Sequence, residues 1–185
     1  MIKSISAAAG RALAKNAEYT EDKEEILVYM LTRLIANSIF LTLLFAFSTF
    51  LEITLTTFVV LVTFLPIRRT FGGWHVQNIY LCLSVSVAVL LAIGYIATLI
   101  EFNMIGLGIV YILAYGIALR IGVVDNKNKR LKESRKEKFK KQGLISLTII
   151  VVINVLVLLY GNVFVSNAMV LGTILGFFNL LIAEK

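Results

Sequence analysis

The sequence predicts an all-α integral membrane protein with six transmembrane helices, and two observations lead to this fold class. First, 59% of the 185 residues are hydrophobic and only one proline is present. A soluble domain of this size cannot bury so much apolar surface. Second, the hydrophobic residues form long runs without charge, and a membrane span needs ~20 apolar residues. The length suits one domain, so we treat residues 1–185 as a single membrane-embedded unit.

The six helices follow from the order of the charge-free runs, which cover residues 34–51, 53–67, 76–100, 102–119 and 142–183. The last run is long enough for two spans, with a turn signal at Tyr160–Asn162 between them. We therefore predict helices over residues 27–47, 50–66, 79–100, 103–123, 144–161 and 164–182. The second helix is the shortest. Pro66 stands at its predicted end, where a helix can stop without an interior kink.

Residues 1–22 precede the first span and have a different pattern. Small and apolar residues recur there at steps of three and four, with Lys3, Arg11 and Lys15 elsewhere on the helical wheel. Two interpretations stay open, an amphipathic helix on the inner leaflet and a basic tail. The stretch lacks the apolar core of a secretory signal, so we expect it to be retained.

The basic residues predict the orientation of the spans. With a cytoplasmic N-terminus, all 18 Lys and Arg residues lie inside and the outer turns carry only Glu52 and Glu101. This is the arrangement that the positive-inside rule describes, and it places both termini in the cytoplasm. The bases lie beside apolar runs, so the net charge of +7 indicates a lipid bilayer as partner and not nucleic acid. Residues 124–143 form a predicted basic cytoplasmic loop.

The stretch RRTFGGWHVQNIYLC, residues 68–82, contains the only His, Cys and Trp of the chain. Cysteine peptidases need a thiolate, and His is the usual base that produces it. On one continuous helix, His75 and Cys82 would be ~10 Å apart along the axis. Proton transfer needs about 2.6–3.2 Å or one bridging water. Direct chemistry between the two side chains therefore requires His75 to lie off the helix that carries Cys82.

A loop before that helix satisfies this requirement. Gly72 and Gly73 favour irregular backbone, and Asn78 is a good N-cap for a helix that begins at Ile79. Cys82 then lies at the end of the first turn. The positive end of a helix dipole stabilises a thiolate, and backbone N–H groups at the same end can bind an oxyanion. Four residues remain candidates for orienting the imidazole: Asn37, Gln77, Asn78 and Asp125.

Each of these residues also has an ordinary interpretation. A lone Cys acts as a small apolar residue, a lone His at an interface is solvated, an Arg pair marks topology and a Gly pair marks a turn. A metal site is not expected, because His75 and Cys82 supply two ligands where zinc takes three or four from the protein. The sequence thus predicts no cofactor.

The combination of Arg68-Arg69, Gly72-Gly73, His75 and Cys82 resembles the signature of the accessory gene regulator B (AgrB) family. The six-span layout is similar over the whole chain. The resemblance implies a membrane cysteine endopeptidase of Gram-positive quorum sensing, located in the bacterial plasma membrane with its active site facing the cytoplasm. Cys82 matches the family nucleophile and His75 its general base, while Arg68, Arg69, Gly72 and Gly73 match supporting positions.

The resemblance also implies a substrate, a short AgrD-like propeptide with an acidic C-terminal tail. Cys82 would attack the bond before the tail and hold the remainder as a thioester, which an internal Cys or Ser of the peptide would convert to a thiolactone or lactone. Self-association as a homodimer is implied by the family alone.

The basic loop has two interpretations at this point. Nine Lys and Arg residues lie between positions 127 and 141, with three acidic residues in the same loop. The loop is either a topology signal that contacts anionic lipid or a docking surface for the acidic tail, with Lys129, Arg130 and Lys132 in contact with it. A transporter and a non-catalytic scaffold remain as alternative functions. The uncharged middles of the spans count against a transporter.

Overall fold

A computed structural model describes residues 2–16, 20–73, 78–124 and 132–184 of the protein. Across these ranges all regular structure is helical, in seven elements: α1 (Ile2–Asn16), α2 (Glu21–Phe50), α3 (Thr54–Phe71), α4 (Ile79–Leu99), α5 (Met104–Ile121), α6 (Glu133–Leu159) and α7 (Val163–Glu184). Six of them, α2 to α7, are long and apolar enough to cross a membrane. The predicted all-α fold with six spans is confirmed. The side of the membrane on which the termini lie stays a prediction.

The bounds of α4, α5 and α7 agree closely with the predicted ones, and those of the other three spans do not. The first span is longer at both ends, since α2 covers Glu21–Phe50. The turn Tyr160–Asn162 lies between α6 and α7 as predicted, with Gly161 at φ 78°. The larger differences concern α3 and α6, and both bear on the candidate site.

Pro66 lies inside α3, so the prediction that the second span ends at this proline was wrong. Proline removes one backbone hydrogen bond but allows the helix to continue when nearby groups compensate in the membrane. The Val62 carbonyl is the group that loses its N–H partner at this proline, and α3 nevertheless continues to Phe71. The helix ends at Gly72, whose φ of +85° favours glycine. Arg68 and Arg69 are therefore on the last turn of a helix and not in a loop.

The sixth element also begins earlier than predicted, because α6 starts at Glu133 with Lys132 as its N-cap. Much of the predicted loop over residues 124–143 is therefore helix. The physical reason is that the stretch ESRKEKFKK contains good helix formers. Glu133 suits the positive end of the helix dipole and pairs with Lys136 at 3.0 Å. A charged sequence is compatible with a helix that extends beyond the apolar run.

The first helix, α1, packs along the start of α2. The Ser6 Oγ and Thr32 Oγ1 atoms are 2.6 Å apart, and Arg11 pairs with Glu24 at 3.6 Å. Ile5 and Leu13 are exposed on α1. Of the two interpretations of this stretch, the helix is correct. Its contact with the inner leaflet stays a prediction.

The centre of the bundle is the pair α3 and α7, which contributes to both apolar clusters. One cluster adds α5 and α6, and the other adds α2 and α4. Small residues allow the central helices to approach closely. A Cβ at Gly172 would lie 2.9 Å from the Val60 carbonyl oxygen, and one at Gly176 would lie 2.8 Å from Ile67 Cγ2. This contact fixes the position of α7 relative to the end of α3.

The two ends of the bundle differ in the turns they carry. We call the end at which α2 begins, α3 ends, α4 begins and α7 ends the motif end. The opposite end contains the turns between α2 and α3, α4 and α5, and α6 and α7. At the opposite end the Asn167 amide joins α7 to the turn after α4: its Oδ1 accepts from the Phe102 N–H at 3.0 Å, and its Nδ2 donates to the carbonyls of Ile100 and Ala97.

Candidate active site

The local structure around Cys82 follows the predicted cap. Asn78 precedes α4, and its Oδ1 accepts from the backbone N–H groups of Tyr80 at 3.0 Å and Leu81 at 3.4 Å. The Cys82 N–H donates to the Asn78 carbonyl at 2.9 Å. The helix start at Ile79 and the place of Cys82 at the end of the first turn are thus confirmed. The helix that carries Cys82 does not continue through Asn78, whose backbone is extended.

Cys82 is half-buried and lines a cleft of about 310 Å³ between α2, α3, α4 and α7. This volume is at the lower end of the range for small-molecule sites. The deeper lining is apolar and includes Phe40, Leu61, Leu90 and Leu175. The polar lining is formed by Arg33, Asn37, Arg68, Cys82, Ser86 and Asn179. The cleft therefore joins a thiol to an apolar cavity with a few polar groups.

Two guanidinium groups line the same cleft as the thiol. Arg68 comes from the last turn of α3, and its guanidinium carbon lies 5.5 Å from the centre of the Phe64 ring. Arg33 comes from α2 and lies 5.3 Å from the Tyr29 ring in the same way. Cation–π contacts of this kind keep long side chains in place. The two Arg residues make the cleft electropositive and suit it to thiolates, oxyanions and carboxylates.

Gly72 and Gly73 approach other parts of the chain too closely for a side chain. A Cβ at Gly72 would lie 2.9 Å from the Val124 carbonyl oxygen, and the Val124 N–H donates to the Phe71 carbonyl at 2.9 Å. A Cβ at Gly73 would overlap the Asn179 Oδ1 atom. The two motif glycines therefore allow the chain after α3 to fit between the end of α5 and the end of α7.

The structure brings only part of the predicted site together. Arg68 and Cys82 share the cleft, with Gly73 beside it. Arg69 instead lines a separate groove between α3 and α6 with Gln142 and Ser146. Lys132 is exposed at the start of α6. The other predicted residues, His75, Gln77, Asp125, Lys129 and Arg130, lie outside the described residues, so their roles stay predictions.

Sequence reasoning missed three polar residues of the cleft, Arg33, Ser86 and Asn179. Arg33 immediately precedes a charge-free run, which made it look like a topology signal. Asn179 is one of several isolated Asn residues in the apolar runs, and the ordinary interpretation of such a residue is a helix–helix hydrogen bond. Asn154 and Asn167 do make such bonds across helices. The Asn179 Oδ1 is buried without a hydrogen-bond partner in the described part of the chain.

The helices and the cleft together define a multi-pass membrane protein whose single cysteine lines a cleft at one end of the bundle. Residues 7–180 match the family described as Accessory gene regulator B, and the chain belongs to this family. Membership implies a part in the processing step of accessory gene regulator quorum sensing, with a peptide as partner in the membrane.

Relatives from one species agree with this assignment. The chain is 29% identical over 171 residues to an AgrB-like protein of Clostridium perfringens (strain SM101 / Type A), with 88% of this chain and 80% of the relative covered. It is 28% identical, over the same length and shares, to AgrB-like protein 2 of Clostridium perfringens (strain 13 / Type A). No solved structure matches the chain.

Proposed function

We propose that the protein is a membrane-embedded cysteine endopeptidase that removes the C-terminal tail of an AgrD-like propeptide and supports cyclisation of the remainder. Cys82 is the nucleophile and His75 the general base. The observation that carries the proposal is the position of Cys82, in the first turn of a capped helix and on the wall of a cleft lined by polar and apolar residues. Activated thiols need this kind of partly exposed, electropositive setting.

The proposed reaction has two acyl transfers. His75 takes the Cys82 proton, and the thiolate attacks the carbonyl carbon of the bond before the tail. The C–N bond breaks, the imidazolium returns its proton to the leaving amine, and the rest of the propeptide stays on Cys82 as a thioester. A Cys or Ser side chain within the peptide then attacks the thioester, which closes a thiolactone or lactone and frees the Cys82 thiol.

The developing oxyanion needs N–H donors or a positive charge close to it. Three N–H groups of the first turn of α4, those of Tyr80, Leu81 and Cys82, donate to Asn78. The backbone of this turn is therefore less suited to the role than the sequence suggested. Arg68 lines the same cleft and carries a permanent positive charge. We assign it to stabilising the thiolate and the oxyanion.

The second transfer competes with hydrolysis, so the thioester must be kept from water. The cleft supports this requirement, because Leu61, Leu90 and Leu175 line it. A cleft with an apolar lining holds little water around the acyl group. We place the active site on the cytoplasmic face, where the positive-inside rule puts the motif end.

Docking of the acidic tail on Lys129, Arg130 and Lys132 is part of the same proposal. We call residues 125–132 the basic segment. The Val124 N–H, just before this segment, donates to the carbonyl of Phe71, the last residue of α3. A tail bound to the segment would leave the scissile bond close to the cleft. Association of two copies as a homodimer is a further expectation from the family.

The test is co-expression of the chain with an AgrD-like propeptide, with products followed by mass spectrometry. We expect the free tail, the cyclised peptide and, in trapped samples, a thioester adduct on Cys82. Cys82→Ala should yield none of the three. Accumulation of tail and ring in cells that express Cys82→Ala would exclude the proposal.

A further inference from the structure

Asn179 is one of the polar residues of the cleft that the proposed mechanism does not use. It stands near the end of α7 and lines the cleft together with Cys82 and Arg68. Its amide lies directly against Gly73 of the motif. The residue as a whole is half-buried, but its Oδ1 atom is buried and has no hydrogen-bond partner within the described ranges.

An unpaired amide oxygen is unusual in a buried setting, since more than nine in ten buried polar groups are hydrogen-bonded. The demand is stronger in a membrane, where water cannot serve as partner. Asn167, on the same helix, uses both ends of its amide. Asn154 also has an unpaired Oδ1, but its Nδ2 donates to the Tyr111 hydroxyl. It lies outside the residues that line the cleft. Asn179 alone among these three combines an unpaired oxygen with a place in the lining of the cleft.

We propose that the Asn179 amide binds the backbone of the propeptide in the cleft, by accepting a hydrogen bond from a peptide N–H near the scissile bond. This inference rests on the proposed function and deepens it. An extended peptide offers one backbone N–H per residue, which is the donor that Oδ1 lacks. The terminal torsion of Asn is broad, so the amide can turn its oxygen from Gly73 toward a peptide in the cleft.

The packing of α7 supports this role. Gly172 and Gly176 bring α7 against Val60, Thr63 and Ile67 of α3. The Asn179 amide is therefore carried by a helix that packs closely against its neighbour, and not by a loop. Groups on rigid elements lose little freedom when they bind a ligand. The same packing sets the distance between Asn179 and Arg68, and a peptide in the cleft would lie against both.

The experiment measures binding apart from catalysis. The chain with Cys82→Ala is purified in lipid nanodiscs, and binding of a fluorescent AgrD-like propeptide is compared with and without Asn179→Leu. Leu keeps a similar shape but removes the amide, so we expect binding to weaken about tenfold, the effect of one hydrogen bond to a buried group. Asn179→Asp keeps an acceptor oxygen and should bind within about twofold of the parent.

The matched control is Asn154→Leu, the same exchange at a buried amide that does not line the cleft. It should lower the midpoint of thermal unfolding and leave propeptide binding unchanged. If Asn179→Leu fails to insert, Asn179→Ala replaces it. Unchanged binding by Asn179→Leu, or equal losses at positions 154 and 179, would overturn the inference.

Two further outcomes separate this inference from the proposed function. In the chain that retains Cys82, Asn179→Leu should raise KM and leave kcat nearly unchanged. A fall in kcat with normal binding would mean that Asn179 acts on the catalytic groups, and the inference would be wrong while the proposed function stands. Cleavage by the Cys82→Ala chain would exclude the proposed function, whatever the binding data.

Discussion

Asn167 and Asn179 are the same type of residue on the same helix, one at each end of the bundle, and their surroundings are opposite. The Asn167 amide is fully engaged, with one acceptor bond from Phe102 and donor bonds to Ile100 and Ala97. The Asn179 oxygen lacks a partner in the described part of the chain and belongs to a residue of the Cys82 cleft. Sequence context alone does not separate the two, because both are isolated Asn residues in an apolar run.

The difference agrees with the proposal that the active site lies at the motif end. At the opposite end, the Asn167 amide closes the turn after α4, although the hydroxyl oxygens of Thr57 and Ser166 are buried there without a hydrogen-bond partner in the described ranges. At the motif end, a cleft, two Arg side chains and an unpaired amide remain. A buried polar group without a partner costs about 1–3 kcal/mol. Costs of this kind are typical of functional sites, where they are balanced elsewhere in the fold.

The strongest challenge to this comparison is removal of the thiol. We expect Cys82→Ala to reduce propeptide cleavage by roughly 10³-fold or more, because covalent catalysis is lost, and His75→Ala to come close to it. Cleavage is followed by mass spectrometry of the released tail. The amount of inserted protein should not change, since Cys82 is only half-buried. Normal processing by Cys82→Ala would show that the motif end is not an active site.

The next largest effect should be on stability at the opposite end. Asn167→Ala leaves the Phe102 N–H and two carbonyls without their partner, and we expect the free energy of unfolding to fall by about 2 kcal/mol. Unfolding in mixed micelles measures this value. Propeptide binding at the motif end should be unaffected. A binding loss as large as that of Asn179→Leu would contradict the separation of the two ends.

A smaller effect is expected from a methyl group beside the cleft. The Cβ of Gly73→Ala would overlap the Asn179 amide, so we expect about a tenfold loss in kcat/KM. The control is Gly108→Ala, since a Cβ at Gly108 meets no atom within 4 Å. The double variant Gly73→Ala/Asn179→Ala should be no worse than Asn179→Ala alone, because the two act through the same group. Additive losses would refute that explanation.

The smallest effect is expected from the basic segment. Charge reversal at Lys129, Arg130 and Lys132 should raise KM a few-fold, and the effect should fade at high salt because exposed charges are screened. The matched control reverses Arg135, Lys138 and Lys141, three exposed bases on α6. Equal kinetics of the two triple variants would favour the topology interpretation of the segment over docking.

Local signals explain which parts of the fold were predictable from the sequence. The cap at Asn78, the start of α4 and the position of Cys82 in its first turn depend on neighbouring residues, and they were predicted correctly. Pro66 and the start of α6 were not. The sequence near Pro66 does not show that α3 continues past the proline to Phe71. Residues 133–141 have good helix propensity, but they are charged and lie outside the apolar run that predicted the span.

The candidate site was also predictable only where local sequence signals determine it. The spacing of the motif indicates a nucleophile and a base, but it contains nothing about α2 or α7. Arg33 and Asn179 reach the cleft because α2 and α7 pack beside α3 and α4. Arg33 and Asn179 are about 50 and 100 positions away from Cys82 in the sequence. A local sequence pattern therefore does not predict that they lie close to it.

The hydrogen bond from Val124 to Phe71 has a consequence for how members of such a family could diversify. The residues on both sides of segment 125–131 have defined positions. The Val124 N–H donates to the carbonyl of Phe71 at the end of α3, and Lys132 is the N-cap of α6. We therefore expect that this segment can be replaced without disturbing the helices on either side. A chimera that carries the matching segment of a relative should prefer the propeptide tail that the relative prefers. Its thiol, cleft and six spans should be the same as in this chain.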